Sequence, residues 1–358
     1  MTALPRDAAQ LGGDGARVTA ADVINGGARW CVEHSRCEAF SSSLPDGCVN
    51  LLWLDPPYFR VVDEEWDRAW KTEADFLAWL RGVVVEAARV LAPNGSLYVF
   101  ASAEMAARVE VMVDERARVL NSIAWVKSDS ANRRGRSKFR RFACETERVV
   151  FAEKATQATS AAGDAIREAR ELAGLSQADL DVALGFVRAK DAARGTGIVR
   201  QWETNDPGSC VPSAADFVRA VVACGVLRDD VAIRAWYERL VRPFSEPEAM
   251  TDVWTYESAP PDPTRHPCEK PEAMLRDVVR CSSRPGDVVC EFFGGSFRMA
   301  EVALSEGRRY IGCDADEHWA RVGVERARAT ERGTVAAVPS RRAKGARDEA
   351  LPLFGGVR

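Results

Sequence analysis

The sequence predicts a doubly wound α/β protein of Rossmann-like type, with a mostly parallel sheet and one inserted helical subdomain. Three observations carry this. Runs rich in Val, Ile, Leu and aromatics are continuous rather than alternating, as in strands buried on both faces. Segments with apolar residues spaced at three and four separate those runs, the order that builds crossover connections. That alternation breaks once, between about 160 and 245, where every segment reads as helix.

The predicted strands are 49–54 (VNLLWL), 96–102 (SLYVFAS), 122–127 (SIAWVK), 148–154 (RVVFAEK), 287–292 (DVVCEF) and 308–314 (RRYIGCD). Between the first two lies TEADFLAWLRGVVVEAARVLAPNG, which reads as a helix capped by Thr72 and stopped by Pro93-Asn94-Gly95. The helical interruption centres on IREARELAGLSQADLDVALG (166–185), two helical patterns about Ala173-Gly174-Leu175-Ser176, with Ser176 placed to cap the second. IVRQWETN and VPSAADFVRAVVACGV follow. This order resembles small helix-turn-helix domains of the phage-repressor type, in which Arg200, Gln201 and Trp202 would open or lie on the recognition helix. The stretch FVRAKDAARGTG before that helix is longer than usual, and packing or dimerisation is the competing use of the insertion. The expected organisation is a disordered tail over 1–20, halves of one α/β domain over 21–155 and 251–332, the insertion over 156–250, and a second disordered tail over 333–358.

Composition limits the function classes. The chain has 358 residues, 46% hydrophobic and 28% charged, as soluble globular proteins have. No apolar run approaches the ~20 residues needed to span a bilayer, and the N-terminus lacks a basic segment followed by an apolar core. A cytoplasmic protein without a membrane partner is expected. The 10 cysteines are scattered without C-x-x-C spacing and only 3 histidines are present, so neither a metal site nor disulfides are expected. A net charge of −4 argues against indiscriminate coating of nucleic acid. Residues 127–141 (KSDSANRRGRSKFRR) nevertheless carry seven Lys or Arg against one Asp. Arg133, Arg134, Arg136, Lys138, Arg140 and Arg141 are therefore candidate phosphate contacts, together with Arg200 and Gln201 of the insertion.

In an open α/β sheet, ligands bind outside the carboxyl ends of the strands. Three predicted strands end there in residues with chemistry. Phe293-Gly294-Gly295-Ser296 joins a strand to a helix, and its backbone N–H groups suit a nucleoside-type ligand. Asp314, at the next strand end, can accept hydrogen bonds from both hydroxyls of a ribose. No lysine follows the glycines as in a triphosphate loop, and the pair fits NAD and S-adenosylmethionine equally. Asp55-Pro56-Pro57-Tyr58 makes the choice. The exocyclic amine of adenine or cytosine is a poor nucleophile, because its lone pair is delocalised into the ring. A carboxylate (Asp55) and a rigidly held carbonyl (Pro56, fixed by Pro57) can accept both N–H bonds and draw the nitrogen toward tetrahedral geometry. Tyr58 offers a face on which the extracted base stacks. Alone, such a tetrapeptide also arises as a proline turn; three such loops on one rim make a site.

The sequence resembles the DNA amino-methyltransferases of the beta circular arrangement, in which the DPPY block precedes the cofactor block. SSLPDGCVNLLWLDPPY, VLAPNGSLYVFAS, ETERVVFAEK, HPCEKPEAML and SRPGDVVCEFFGGS…GRRYIGCDADEHW occur in the family's order, covering most of 30–155 and 252–325. The resemblance implies S-adenosylmethionine as cofactor, double-stranded DNA as substrate and base flipping at the site. It implies cofactor contacts from His266 and Lys270 in the H-P-x-x-K-P block, and target recognition by the insertion. An aspartate at position 55 usually accompanies N6-adenine methylation and a serine N4-cytosine methylation, so adenine is expected, with N4-cytosine and a catalytically silent DNA-binding relative as alternatives. Two positions depart from the pattern. Phe297 stands where the cofactor loop normally has a glycine, whose positive φ a phenylalanine resists. Ser35-Arg36 replaces a Gly-Asp, exchanging an acid for a base. Near the C-terminus, Leu351, Leu353 and Phe354 loosely resemble the peptides with which bacterial DNA enzymes dock on the replication sliding clamp.

Overall fold

A computed structural model describes residues 18–59, 69–127, 145–154, 161–187, 197–204, 211–245, 251–257, 266 and 268–334. The basic residues between 133 and 141, and Leu351, Leu353 and Phe354, lie outside the described residues. The chain divides into two compact units, one of residues 1–154 with 244–358 and one of residues 155–243.

The first unit is built on an eight-stranded sheet. Its strands are β1 (Trp30–His34), β2 (Val49–Leu54), β3 (Leu91–Ser102), β4 (Ala117–Val126), β5 (Thr146–Lys154), β6 (Val253–Trp254), β7 (Val288–Glu291) and β8 (Arg309–Asp314). Their order is β1-β8-β7-β2-β3-β5-β4-β6, and only β5 runs antiparallel to its neighbours. The expected doubly wound, mostly parallel sheet is present. Its cause is visible in β2: Leu52 and Leu54 enter the core on one face, while Leu51 and Trp53 enter the core on the other. Both faces are covered, so the strand has no polar side to show.

On the first face lie α1 (Ala20–Ile24), α2 (Cys37–Ser43), α3 (Glu73–Val90) and α4 (Ala106–Asp114). Thr72 caps α3 in a reciprocal capping box with Asp75, as its sequence predicts. The helix end differs from expectation. Pro93-Asn94-Gly95 does not stop α3; the helix ends at Val90, and these residues lie inside β3. Leu91 turns to extended geometry while the Lys154 ammonium takes up the carbonyls of Arg89 (3.2 Å) and Leu91 (3.0 Å). The register of β3 on β2 then jumps from Val49↔Leu91 to Leu51↔Ser96, so the Pro-Asn-Gly turn is a bulge within the strand.

The second unit holds α5 (Ala161–Leu172), α6 (Gln177–Ala183), α7 (Ile198–Trp202), α8 (Ala214–Ala223) and α9 (Asp230–Leu240) around Ile166, Leu180, Val199, Trp202, Phe217 and Ile233. Ser176 caps α6 through a box with Asp179. The Arg170 guanidinium meets Glu203 at 2.7 Å, and Gln177 donates to the same carboxylate. Trp202 is core, whereas Arg200 and Gln201 stand on the exposed side of α7.

Returning to the first unit, α10 (Glu272–Ser282), α11 (Arg298–Ser305) and α12 (Glu317–Glu331) cover the second face of the sheet. No helix among the described residues is long and apolar enough to cross a membrane.

Candidate active site

Strands β8, β7 and β2 are adjacent and parallel, so Asp314, the loop after Glu291 and Asp55 all leave the same edge of the sheet. Parallel topology alone brings these three sequence-distant segments together.

The loop between β7 and α11 is a tight turn: Phe297 N–H donates to the Gly294 carbonyl at 2.7 Å, and Gly294 N–H to the Cys313 carbonyl at 2.9 Å. Gly295, at φ +48°, turns its N–H onto Asp314 Oδ2 at 2.7 Å, and Asp316 N–H donates to Oδ1 at 2.8 Å. Burial pushes the Asp314 carboxyl up to about 6, against the backbone N–H groups of Asp316, Gly295 and Ala315, which favour its ionised form. The carboxylate keeps acceptor capacity for a ligand hydroxyl. The His266 ring packs against the loop; a Cβ on Gly295 would come within 3.3 Å of it.

Phe297 does take up the left-handed conformation, at φ +54°, and is the one non-glycine to do so among the described residues. Its ring does not enter the rim. It is fully buried beneath the loop, edge-on to Tyr310, in a notch between two glycines. A Cβ on Gly294 would sit 2.3 Å from the ring, and one on Gly323 of α12 would sit 2.5 Å from it. Left-handed backbone costs a non-glycine roughly 1–2 kcal/mol, which burial of the ring offsets. Arg36, the other departure, pairs with Glu38 at 3.1 Å, and Glu38 also accepts from Trp79.

The second half of the rim is a charged cluster. The Lys270 ammonium lies 2.7 Å from Asp55 Oδ2 and 3.3 Å from Glu147 Oε2. The Tyr58 hydroxyl lies 3.3 Å from Asp55 Oδ1 and 3.2 Å from Glu147 Oε2, and can donate to one of them at a time. Lys127 pairs with the other oxygen of Glu147. The rings of Phe100 and Trp125 flank the Lys270 ammonium at 4.6 and 5.7 Å. Burial raises the Asp55 carboxyl, Lys270 opposes that rise and Glu147 adds to it. Glu147 is held below the usual carboxylate range because Lys270 and Lys127 outweigh its burial. Burial beside two carboxylates raises the Tyr58 phenol, which stays protonated.

The structure thus brings together Asp55, Pro56, Pro57 and Tyr58 with Lys270, and Phe293 to Ser296 with Asp314 and His266. Sequence reading missed Glu147 and Lys127. It also missed Glu291, a buried carboxyl pushed upward by burial, whose Oε2 accepts from Tyr310 at 2.7 Å behind the loop. Glu269, next to Lys270 in the chain, is tied to Ser296 of the loop and to Arg298 and Arg326.

An open α/β sheet with a glycine loop, a buried acid at the next strand end and an acid-Pro-Pro-aromatic strand terminus defines a Rossmann-like, S-adenosylmethionine-dependent methyltransferase. The residues present fit that cofactor through Asp314, which retains acceptor capacity, whereas the N–H groups of Gly294 and Gly295 that the sequence offered to the ligand are given to the Cys313 carbonyl and to Asp314. Residues 49–325 match the N6/N4 DNA methylase family, and the chain belongs to that family. It is 23% identical over 299 residues to the DNA adenine methyltransferase YhdJ of Escherichia coli K12, covering 82% of this chain and 81% of that protein. It is 21% identical over 315 residues to the type II methyltransferase M2.DpnII of Streptococcus pneumoniae, covering 82% and 87%. Among solved structures, the cytosine-N4-specific PvuII DNA methyltransferase shares the fold at a TM-score of 0.50 and 14% identity, over 84% of this chain and 86% of that one.

Proposed function

We propose that this DNA methyltransferase acts on the N6 amine of adenine in duplex DNA, with Asp55 as the acceptor that activates the amine. The observation that carries this is the Asp55 carboxylate itself, largely buried at the end of β2 on the same rim as the glycine loop and Asp314. Bound S-adenosylmethionine supplies an electrophilic methyl group. Gly294, Gly295, Ser296 and Asp314 hold its nucleoside end, with Phe293 and His266 beside them. Asp55 and the Pro56 carbonyl accept the two N–H bonds of the flipped base's amine and aim its lone pair, Pro57 fixes that carbonyl, and the Tyr58 ring supports the base. No covalent enzyme intermediate is needed, and the surplus amine proton leaves to water.

Adenine is supported by the aspartate at position 55 and by the name of one relative, the DNA adenine methyltransferase YhdJ. Cytosine N4 is the second reading, because cytosine offers the same amine beside a ring nitrogen. Arg200 and Gln201, exposed on α7, are proposed to contact DNA, as are the basic residues from Arg133 to Arg141. The second unit is proposed as the target-recognition domain. The test is transfer of labelled methyl to unmethylated genomic DNA, followed by nucleoside analysis. N6-methyladenine is expected; N4-methylcytosine would replace the first reading by the second. Asp55→Asn should abolish transfer with cofactor binding retained, and near-normal turnover of that variant would overturn the role of Asp55.

A further inference from the structure

We infer that Glu147 is a positioning residue that draws the Lys270 ammonium off Asp55, leaving the Asp55 carboxylate open to the target amine. The inference rests on the role proposed for Asp55.

Glu147 reaches the rim because β5 runs antiparallel: its amino-terminal end, not its carboxyl end, lies there, with Glu147 paired to Ser102 at the end of β3. In the described state Lys270 favours Asp55, at 2.7 Å against 3.3 Å to Glu147. Tyr58 also lies against Asp55. Both oxygens of the Asp55 carboxylate therefore have donors beside them before any base arrives. An ammonium that stayed there would compete with the amine for the acceptor lone pairs and would leave the carboxylate a weaker acceptor. A second carboxylate within 3.3 Å of Lys270 and 3.2 Å of Tyr58 gives both donors an alternative partner, so they can shift without either becoming unpaired. The Lys270 side chain is only 6% exposed, and water cannot take over that function. Lys127 anchors the far oxygen of Glu147 and fixes it as the receiving side. Among the described residues the titratable groups facing Asp55 are Lys270, Tyr58, Glu147, Cys268 and Glu291, and of these only Glu147 can accept what Asp55 releases: Cys268 stays a thiol, and Glu291 is engaged by Tyr310.

The test is Glu147→Gln, which keeps the shape and removes the charge. Turnover is expected to fall roughly 10- to 100-fold, the scale of a misplaced catalytic group. Cofactor affinity by calorimetry should stay within about 2-fold, because the nucleoside half of the rim is untouched. The acid limb of the turnover–pH profile should move to lower pH, since Asp55 loses a like-charged neighbour and keeps Lys270 to itself. A loss of packing would lower the plateau without moving that limb. Glu147→Asp, which keeps the charge, should hold the limb at its wild-type position, and it serves if the Gln variant fails to fold. Unchanged turnover in Glu147→Gln, or a limb displaced alike in both variants, would overturn the inference. Asp55→Asn run alongside separates the two readings: if it is inactive while Glu147→Gln is fully active, only the role of Glu147 falls, and if Asp55→Asn is itself active, the reading beneath it falls.

Discussion

Replacing Phe297 by glycine, the residue the family pattern calls for, should weaken the protein rather than restore it. The ring is fully buried, and deleting a buried phenylalanine side chain ordinarily costs about 3–5 kcal/mol through lost transfer energy and the cavity left behind. Relief of the left-handed backbone at φ +54° returns roughly 1–2 kcal/mol of that. The net loss is about 1–4 kcal/mol, to be read from urea denaturation followed by tryptophan fluorescence. Calorimetry with S-adenosylmethionine should show affinity unchanged or lower. The complementary change, Gly323→Ala, would place a methyl 2.5 Å from the ring and should cost about 1–3 kcal/mol by overpacking. Combined with Phe297→Gly that clash has no partner, so the double variant should be more stable than the sum of the two losses implies. A Phe297→Gly variant that gains stability, or binds the cofactor tenfold more tightly, would refute the reasoning, for it would mean that the ring projects into the ligand's space.

Three further outcomes are expected. Cofactor affinity should fall as pH drops through about 6, where the Asp314 carboxylate takes up a proton and ceases to be a pure acceptor, with calorimetry at constant ionic strength as the check. Because that carboxyl is raised in the folded protein, its contribution to folding is fully present below its unfolded value of 3.8 and is lost as pH rises through about 6, to be read from denaturation of the cofactor-free protein across that range; Asp314→Asn, whose amide oxygen can replace only one of the two acceptor oxygens, should weaken cofactor binding. Thr72→Ala removes the capping box of α3 and should cost about 1 kcal/mol in denaturant without changing cofactor affinity. Arg200→Ala, at an exposed position of α7, should weaken DNA binding and reduce its salt dependence by about one phosphate's worth, leaving thermal unfolding unchanged.

What was legible in the sequence follows from which rules are local. The ends of β2, β7 and β8 could be placed on one rim because parallel strands share a direction, so a motif after each strand fixes its own location. Glu147 could not be placed that way. It opens the antiparallel strand β5, and only the pairing of β5 with β3 and β4 shows that this amino-terminal end faces Asp55. The signal available was an acid ahead of the apolar run RVVF, which strand rules treat as flanking polarity. Pro93-Asn94-Gly95 was misjudged because it carries turn chemistry wherever it stands, and whether a helix or a strand surrounds it depends on Lys154 and on the register with β2. Phe297 violated a local rule that holds for one residue in isolation. Its solution lies at Gly323, a glycine in the interior of α12, where glycine is otherwise unfavourable and so marks a close approach.

The charge cluster also bears on why this site is kept. Asp55, Glu147, Lys270 and Lys127 sum to zero formal charge, so the group is electrically balanced, yet burial of Asp55, Glu147 and Lys270 is expensive. Replacing a buried ion pair with apolar residues of similar volume is often neutral or stabilising, and stability therefore gives no reason to retain one. A protein using this fold only to bind DNA would gain by filling the space between Phe100, Trp125 and Tyr58 with aliphatic side chains. Those rings already provide the walls for such a core. Under the role proposed for Asp55, the lysine among them keeps the carboxylate beside it ionised. The whole quartet, rather than Asp55 alone, is therefore what the proposed amine acceptor draws on.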